Sequence, residues 1–165
     1  MGARGKHQLL RRGETAPEFR LQVLGGDAVA LAEVLAEGPV VLAFFKTSCP
    51  VCQLTLPFLD RIWNGRNPQA PRIFGISQDD SADTRAFNKR FHVTFPVLLD
   101  PPRERYPVSN AYGISSVPTL YVIEQDGTVG QVIEGFVKRE MASLGTRAGV
   151  NLFSDREYVP EWQAG

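Results

Sequence analysis

The chain has 165 residues, 43% hydrophobic and 22% charged, the size and content of one soluble globular domain that buries its own core. Lys plus Arg and Asp plus Glu both number 18, so the formal net charge is zero. No overall field draws in nucleic acid or an anionic membrane, and partners must be selected locally, by shape and chemistry.

Residues 1–12 are polar and Gly-containing, with Arg4, Lys6, Arg11 and Arg12 around a single apolar pair, Leu9-Leu10. They read as a poorly ordered arm without the apolar core of a signal peptide. The longest apolar run, Pro39 to Phe45, is too short to span a bilayer. The expectation is a soluble, cytoplasmic protein with no membrane span; a leader or anchor trimmed from the native form would change it to an exported or tethered one.

Beyond the arm, Phe19, Leu21 and Val23 alternate with Arg20 and Gln22, Gly25-Gly26-Asp27 supplies a turn, and Val29 and Leu31 resume the apolar pattern. That pattern predicts an N-terminal β-hairpin. Leu31, Val34 and Leu35 have helical spacing, closed by Gly38-Pro39. Val40 to Phe45 lacks polar alternation, as expected of a central strand covered on both faces. Next come Cys49 and Pro50, then Val51, Leu54, Phe58 and Ile62 at the spacing of an amphipathic helix. Pro50 suits a first helical turn, whereas Pro57 inside the helix should kink it.

Ile73 to Ile76 predicts a second buried strand, Ser81 a helix cap, and Ala86, Phe87, Arg90 and Phe91 the helix that follows. Thr119 to Ile123 is a further strand, Gln125-Asp126-Gly127 a tight turn, and Val129 to Ile133 the returning antiparallel strand. Val137 to Ala148 predicts a closing helix, and residues 150–165 a tail that wraps the surface. Together these elements make residues 13–149 a three-layer α/β/α domain with a mixed central sheet.

The two cysteines, Cys49 and Cys52, sit where a central strand hands over to a helix, the usual place for chemistry in open α/β sheets. Thiol exchange needs a thiolate, and unpaired N–H groups at a helix start favour one. Cys49 is then the nucleophile, and Cys52, one turn further in, the resolving thiol. No metal or organic cofactor is required. A four-ligand zinc site lacks ligands, since no second cysteine pair exists and the only histidines are His7 and His92. The remaining alternative for this pair leaves both thiols as inert core residues.

These residues resemble the thioredoxin superfamily, specifically its redoxin branch, which holds TlpA-like and ResA-like thiol:disulfide oxidoreductases and the AhpC/TSA peroxiredoxins. The resemblance rests on Gly13-Glu14-Thr15-Ala16-Pro17-Glu18-Phe19, on Phe44 to Cys52, on Pro57, and on Tyr112-Gly113-Ile114-Ser115-Ser116-Val117-Pro118-Thr119 followed by Gln125-Asp126-Gly127. It implies a thioredoxin-like fold and a cis Val117-Pro118 bond beside the cysteines. It also implies that Val117 and Pro118, with Ser48 and Pro50, meet an extended substrate segment by strand addition. The implied partners are disulfide-containing or dithiol proteins and an unidentified electron donor.

Departures from the family are equally specific. Ser48 stands where thioredoxin has tryptophan, Ala43 where it has a buried aspartate, and Thr55 where many TlpA-like and ResA-like proteins carry glutamate. The usual proton acceptor is therefore missing, with Asp79, Asp80 and Lys46 as the charged residues able to approach the site. Three functions follow for test: exchange with protein disulfides, peroxide reduction by Cys49 with Cys52 resolving, and partner binding without exchange. The peroxide reading is weakened because the expected proline and threonine positions hold Leu42 and Lys46.

Overall fold

The computed structural model describes residues 8–165. Its main sheet has seven strands in the order β2-β1-β5-β4-β3-β6-β7. The elements are β1 (Arg20–Val23), β2 (Ala28–Ala30), α1 (Leu31–Leu35), β3 (Val40–Phe45), α2 (Pro50–Gly65), β4 (Arg72–Ser77) and α3 (Ser81–Phe91). They continue with β5 (Val97–Leu99), a 3-10 turn over Pro102–Glu104, α4 (Pro107–Ala111), β6 (Thr119–Ile123), β7 (Val129–Glu134), β8 (Phe136–Val137), α5 (Lys138–Arg147) and β9 (Trp162–Gln163). Strands β3, β4 and β5 run parallel, while β6 lies antiparallel to β3 and β7 to β6. The predicted hairpin joins the same sheet, since β1 pairs antiparallel with β5.

The unbroken apolar run of β3 has a direct cause. Successive side chains of a strand point to opposite faces, and both faces here are covered. Val41, Ala43 and Phe45 pack with Leu56, Leu59, Phe87 and Met141 under α2, α3 and α5. Val40, Leu42 and Phe44 pack in the other layer with Leu31, Val34, Val108 and Tyr112. In that second layer Phe44, Tyr112 and Tyr121 form a triangle of rings with centroids 5.3–5.9 Å apart. Leu56 and Leu59 are fully buried, each burial contributing about 1.5–3 kcal/mol.

Four differences from the sequence reading stand out. Residues 1–7 of the expected arm lie outside the described residues, whereas Leu10, expected in the same arm, is 0% exposed. Its N–H donates to the Tyr112 carbonyl at 3.1 Å, so the apolar pair Leu9-Leu10 packs onto the domain. Helix α3 is capped by Asp80, not Ser81; the Asp80 carboxylate accepts the Asp83 N–H at 2.8 Å, and Ser81 is the first helical residue. Strand β5 and helix α4 fill a stretch for which no element was predicted. The tail does more than wrap: Leu152 and Val159 are buried in the core, and β9 pairs antiparallel with β8.

Candidate active site

The parallel register of β3 and β4 builds the site. It pairs Phe45 with Ser77, which brings the two strand ends, and the loops that follow them, side by side. Asp79 thereby reaches the loop after β3, where its Oδ2 accepts the Thr47 N–H at 2.7 Å. Gln53 from the first turns of α2 donates from Nε2 to the Thr47 carbonyl at 3.0 Å. With both polar groups of its peptide backbone held by side chains, Thr47 fixes the path of the chain into Cys49.

Cys49 occupies the N-cap of α2, with extended backbone at φ −85° and ψ 115°, and Pro50 opens the helix where a missing N–H leaves nothing unpaired. The Cys52 N–H donates to Cys49 Sγ at 3.1 Å, and the Cys49 thiol donates to the Val117 carbonyl at 3.4 Å. Both cysteines are free thiols. Their settings differ: Cys49 is half-buried, whereas Cys52 is 0% exposed within the α2 core. Burial pushes the Cys52 thiol well above the ordinary thiol range, the hydrogen bond with Cys49 adds to this, and the Asp79 charge raises it further.

The Val117-Pro118 peptide is cis. Of the residues expected to meet a substrate, Ser48 and Pro50 are exposed and Val117 half-buried, while Pro118 is buried and offers little surface. A cleft of about 190 Å³ lies beside this loop, lined among others by Lys46, Gln78, Tyr106, Ser109 and Val117. Lys46 is exposed at the end of β3, and Leu42 is fully buried in the second layer. Thr55 is fully buried and satisfied within its own helix, its Oγ1 donating to the Val51 carbonyl at 2.7 Å. Of the two aspartates weighed from sequence, Asp79 reaches the active loop and Asp80 is spent on its helix cap.

Gln53 carries no signal in the sequence, since a polar residue on a helix is ordinary and only the fold brings its amide to the Thr47 carbonyl. Asp79 had a signal, its position beyond the end of a strand predicted to lie in the same sheet. Among the described residues no group of three or more His, Cys, Asp or Glu side chains is placed to hold a metal, and no helix is long and apolar enough to cross a membrane.

Known proteins match this arrangement over most of its length. ResA, a thiol-disulfide oxidoreductase of Geobacillus thermodenitrificans, is 30% identical over 129 residues, covering 78% of this chain and 72% of its own length. The solution structure of a putative protein disulfide isomerase from Bacteroides thetaiotaomicron superposes with a TM-score of 0.75 at 26% identity, covering 87% of this chain and 91% of that one. A putative thiol:disulfide interchange protein DsbE from Chlorobium tepidum superposes at 0.73 with 23% identity, over 87% and 99% of the two chains. The family model for AhpC/TSA matches residues 12–132, and with it and these relatives the chain belongs to the AhpC/TSA family, within the thioredoxin-like redoxins.

Proposed function

We propose that the chain is a thiol:disulfide oxidoreductase that exchanges electrons with protein disulfides through Cys49 and Cys52. The observation that carries this reading is the pair's asymmetry: one half-buried sulfur receives an amide N–H at the helix start, and its neighbour one turn on is sealed in the core. In the reducing direction the Cys49 thiolate attacks one sulfur of a partner's disulfide, and the other leaves as a thiolate. Cys52 then gives up its proton and attacks Cys49 Sγ. The partner's second sulfur is released, so the partner gains two electrons and the chain is left with a Cys49–Cys52 disulfide. A donor dithiol restores the thiols by the reverse steps.

The two substitutions Cys52→Ser and Cys49→Ser separate the roles. Cys52→Ser should accumulate mixed disulfides with protein partners that dithiothreitol cleaves, and Cys49→Ser should accumulate none. Equal trapping by both variants, or insulin reduction that survives Cys49→Ser, would remove the assignment.

A further inference from the structure

Strand addition at Val117 requires that its backbone be free to meet a partner, yet that edge already has a neighbour. Strand β9 pairs with β8 through Phe136 with Gln163 and Val137 with Trp162, and the Lys138 N–H donates to the Glu161 carbonyl at 3.0 Å. This places residues 163–165 alongside Gly135, which has φ 72° and donates its N–H to the Pro118 carbonyl at 2.8 Å. A Cβ on Gly135 would strike the Gln163 carbonyl and stand 3.2 Å from the Gly165 nitrogen. Glycine is therefore what lets the tail lie so close. Gly165 repeats the relation one step further: a Cβ there would strike the Val117 carbonyl oxygen and stand 3.2 Å from the Pro118 nitrogen. That oxygen is the one that accepts the Cys49 thiol.

The attachment is slight. Residues 161–165 are all exposed, with Trp162 at 61%, and the ladder holding them is two residues on each side. The chain just before is anchored, since Val159 is buried. A segment that follows a buried anchor and is itself exposed and held by so short a ladder can lift from the edge without disturbing the core.

We propose that residues 161–165 are a strap over the partner-binding edge at Val117, and that it sets substrate preference by size. An extended protein segment must displace the strap before its backbone reaches Val117, whereas a small-molecule disulfide reaches Cys49 with the strap in place. The inference rests on the exchange reading above. Competition of this kind lowers apparent affinity by the fraction of molecules with the edge uncovered.

The test compares the full chain with a variant lacking residues 161–165 and with Gly165→Ala, whose new Cβ meets the Val117 carbonyl. Reduced protein is mixed either with insulin or with 5,5′-dithiobis(2-nitrobenzoate), samples are quenched in acid and alkylated, and second-order rates are read by mass from the loss of alkylatable Cys49 and Cys52 in this chain. Both variants should react with insulin about tenfold faster, equivalent to about 1.4 kcal/mol, with the rate for the small disulfide unchanged. Insulin rates that stay level or fall would overturn the strap, and equal gains with both reagents would overturn selection by size. A full chain that reacts with neither reagent would overturn the exchange reading itself, a distinct failure.

Discussion

Asp100 is a buried carboxylate whose removal tests how the site-bearing loops are held. It is 0% exposed, just beyond β5, and three donors converge on it. The Val108 N–H meets Oδ1 at 3.2 Å, and the N–H and Oγ–H of Ser109 both meet Oδ2 at 2.7 Å. The two amides belong to the first turn of α4, so this side chain does the work of a cap from the loop that leaves β5, eight residues earlier. A hydrogen bond to a charged acceptor contributes about 1.5–3 kcal/mol, and a buried donor left alone costs about 1–3 kcal/mol. Water entering the space recovers part of the sum, so Asp100→Ala should destabilise the protein by about 3–5 kcal/mol, a large share of a usual total of about 5–15 kcal/mol. Asp100→Asn keeps the shape but turns an amide donor toward the existing donors, and should cost about 1–3 kcal/mol. Urea unfolding followed by circular dichroism measures both through the midpoint at unchanged slope. Ser109 Oγ also accepts Gln78 Nε2 at 3.0 Å, so the cleft beside Val117 loosens in the same variants. An Asp100→Ala protein within about 1 kcal/mol of the parent would refute the reasoning, because three buried donors cannot lose a charged acceptor at so small a cost.

Two further outcomes are expected. Asp79→Asn removes a negative charge that raises the Cys52 thiol while keeping an acceptor for the Thr47 N–H, so the pH profile for partner release from a mixed disulfide should move to lower pH. Stopped-flow measurement on preformed adducts reads this, and a profile that stays in place or moves upward contradicts it. Stability of the reduced protein should fall in alkali, because burial raises both the Cys52 thiol and the Tyr112 phenol above their unfolded values. Unfolded chains release these protons near about 8.5 and about 10, so the contribution is full below those values and lost as pH rises past them, at about 1.4 kcal/mol per pH unit and group. A urea midpoint that is flat from about pH 8 to about pH 11 would count against it.

The parts of the fold legible in the sequence are those whose pattern is long enough to show a period. The doubly covered β3, the stripe of α2 and the β6-β7 pair all carry such runs. Strand β5 is three residues between Pro96 and Pro101-Pro102, and α4 is five residues entered through left-handed Arg105 and Tyr106. Neither spans a readable period; sheet register and the Asp100 carboxylate define them, and those are tertiary facts. In the row Asp79-Asp80-Ser81 every residue is a good cap, and only geometry selects Asp80. The cysteine pair and the cis proline were legible as motifs. The approach of Gly165 to Val117 was not, because it joins residues far apart in the chain through two glycines whose value lies in atoms they lack.

The sealing of Cys52 also bears on oxidative damage. A sulfur with no exposed surface gives peroxide or a foreign thiol no line of approach. The irreversible rungs of cysteine oxidation, sulfinic and sulfonic acid, are thus open to Cys49 alone. A sulfenic acid formed there has an intramolecular rescuer within one helical turn, and condensation to a disulfide returns the chain to its working cycle before the lesion becomes permanent.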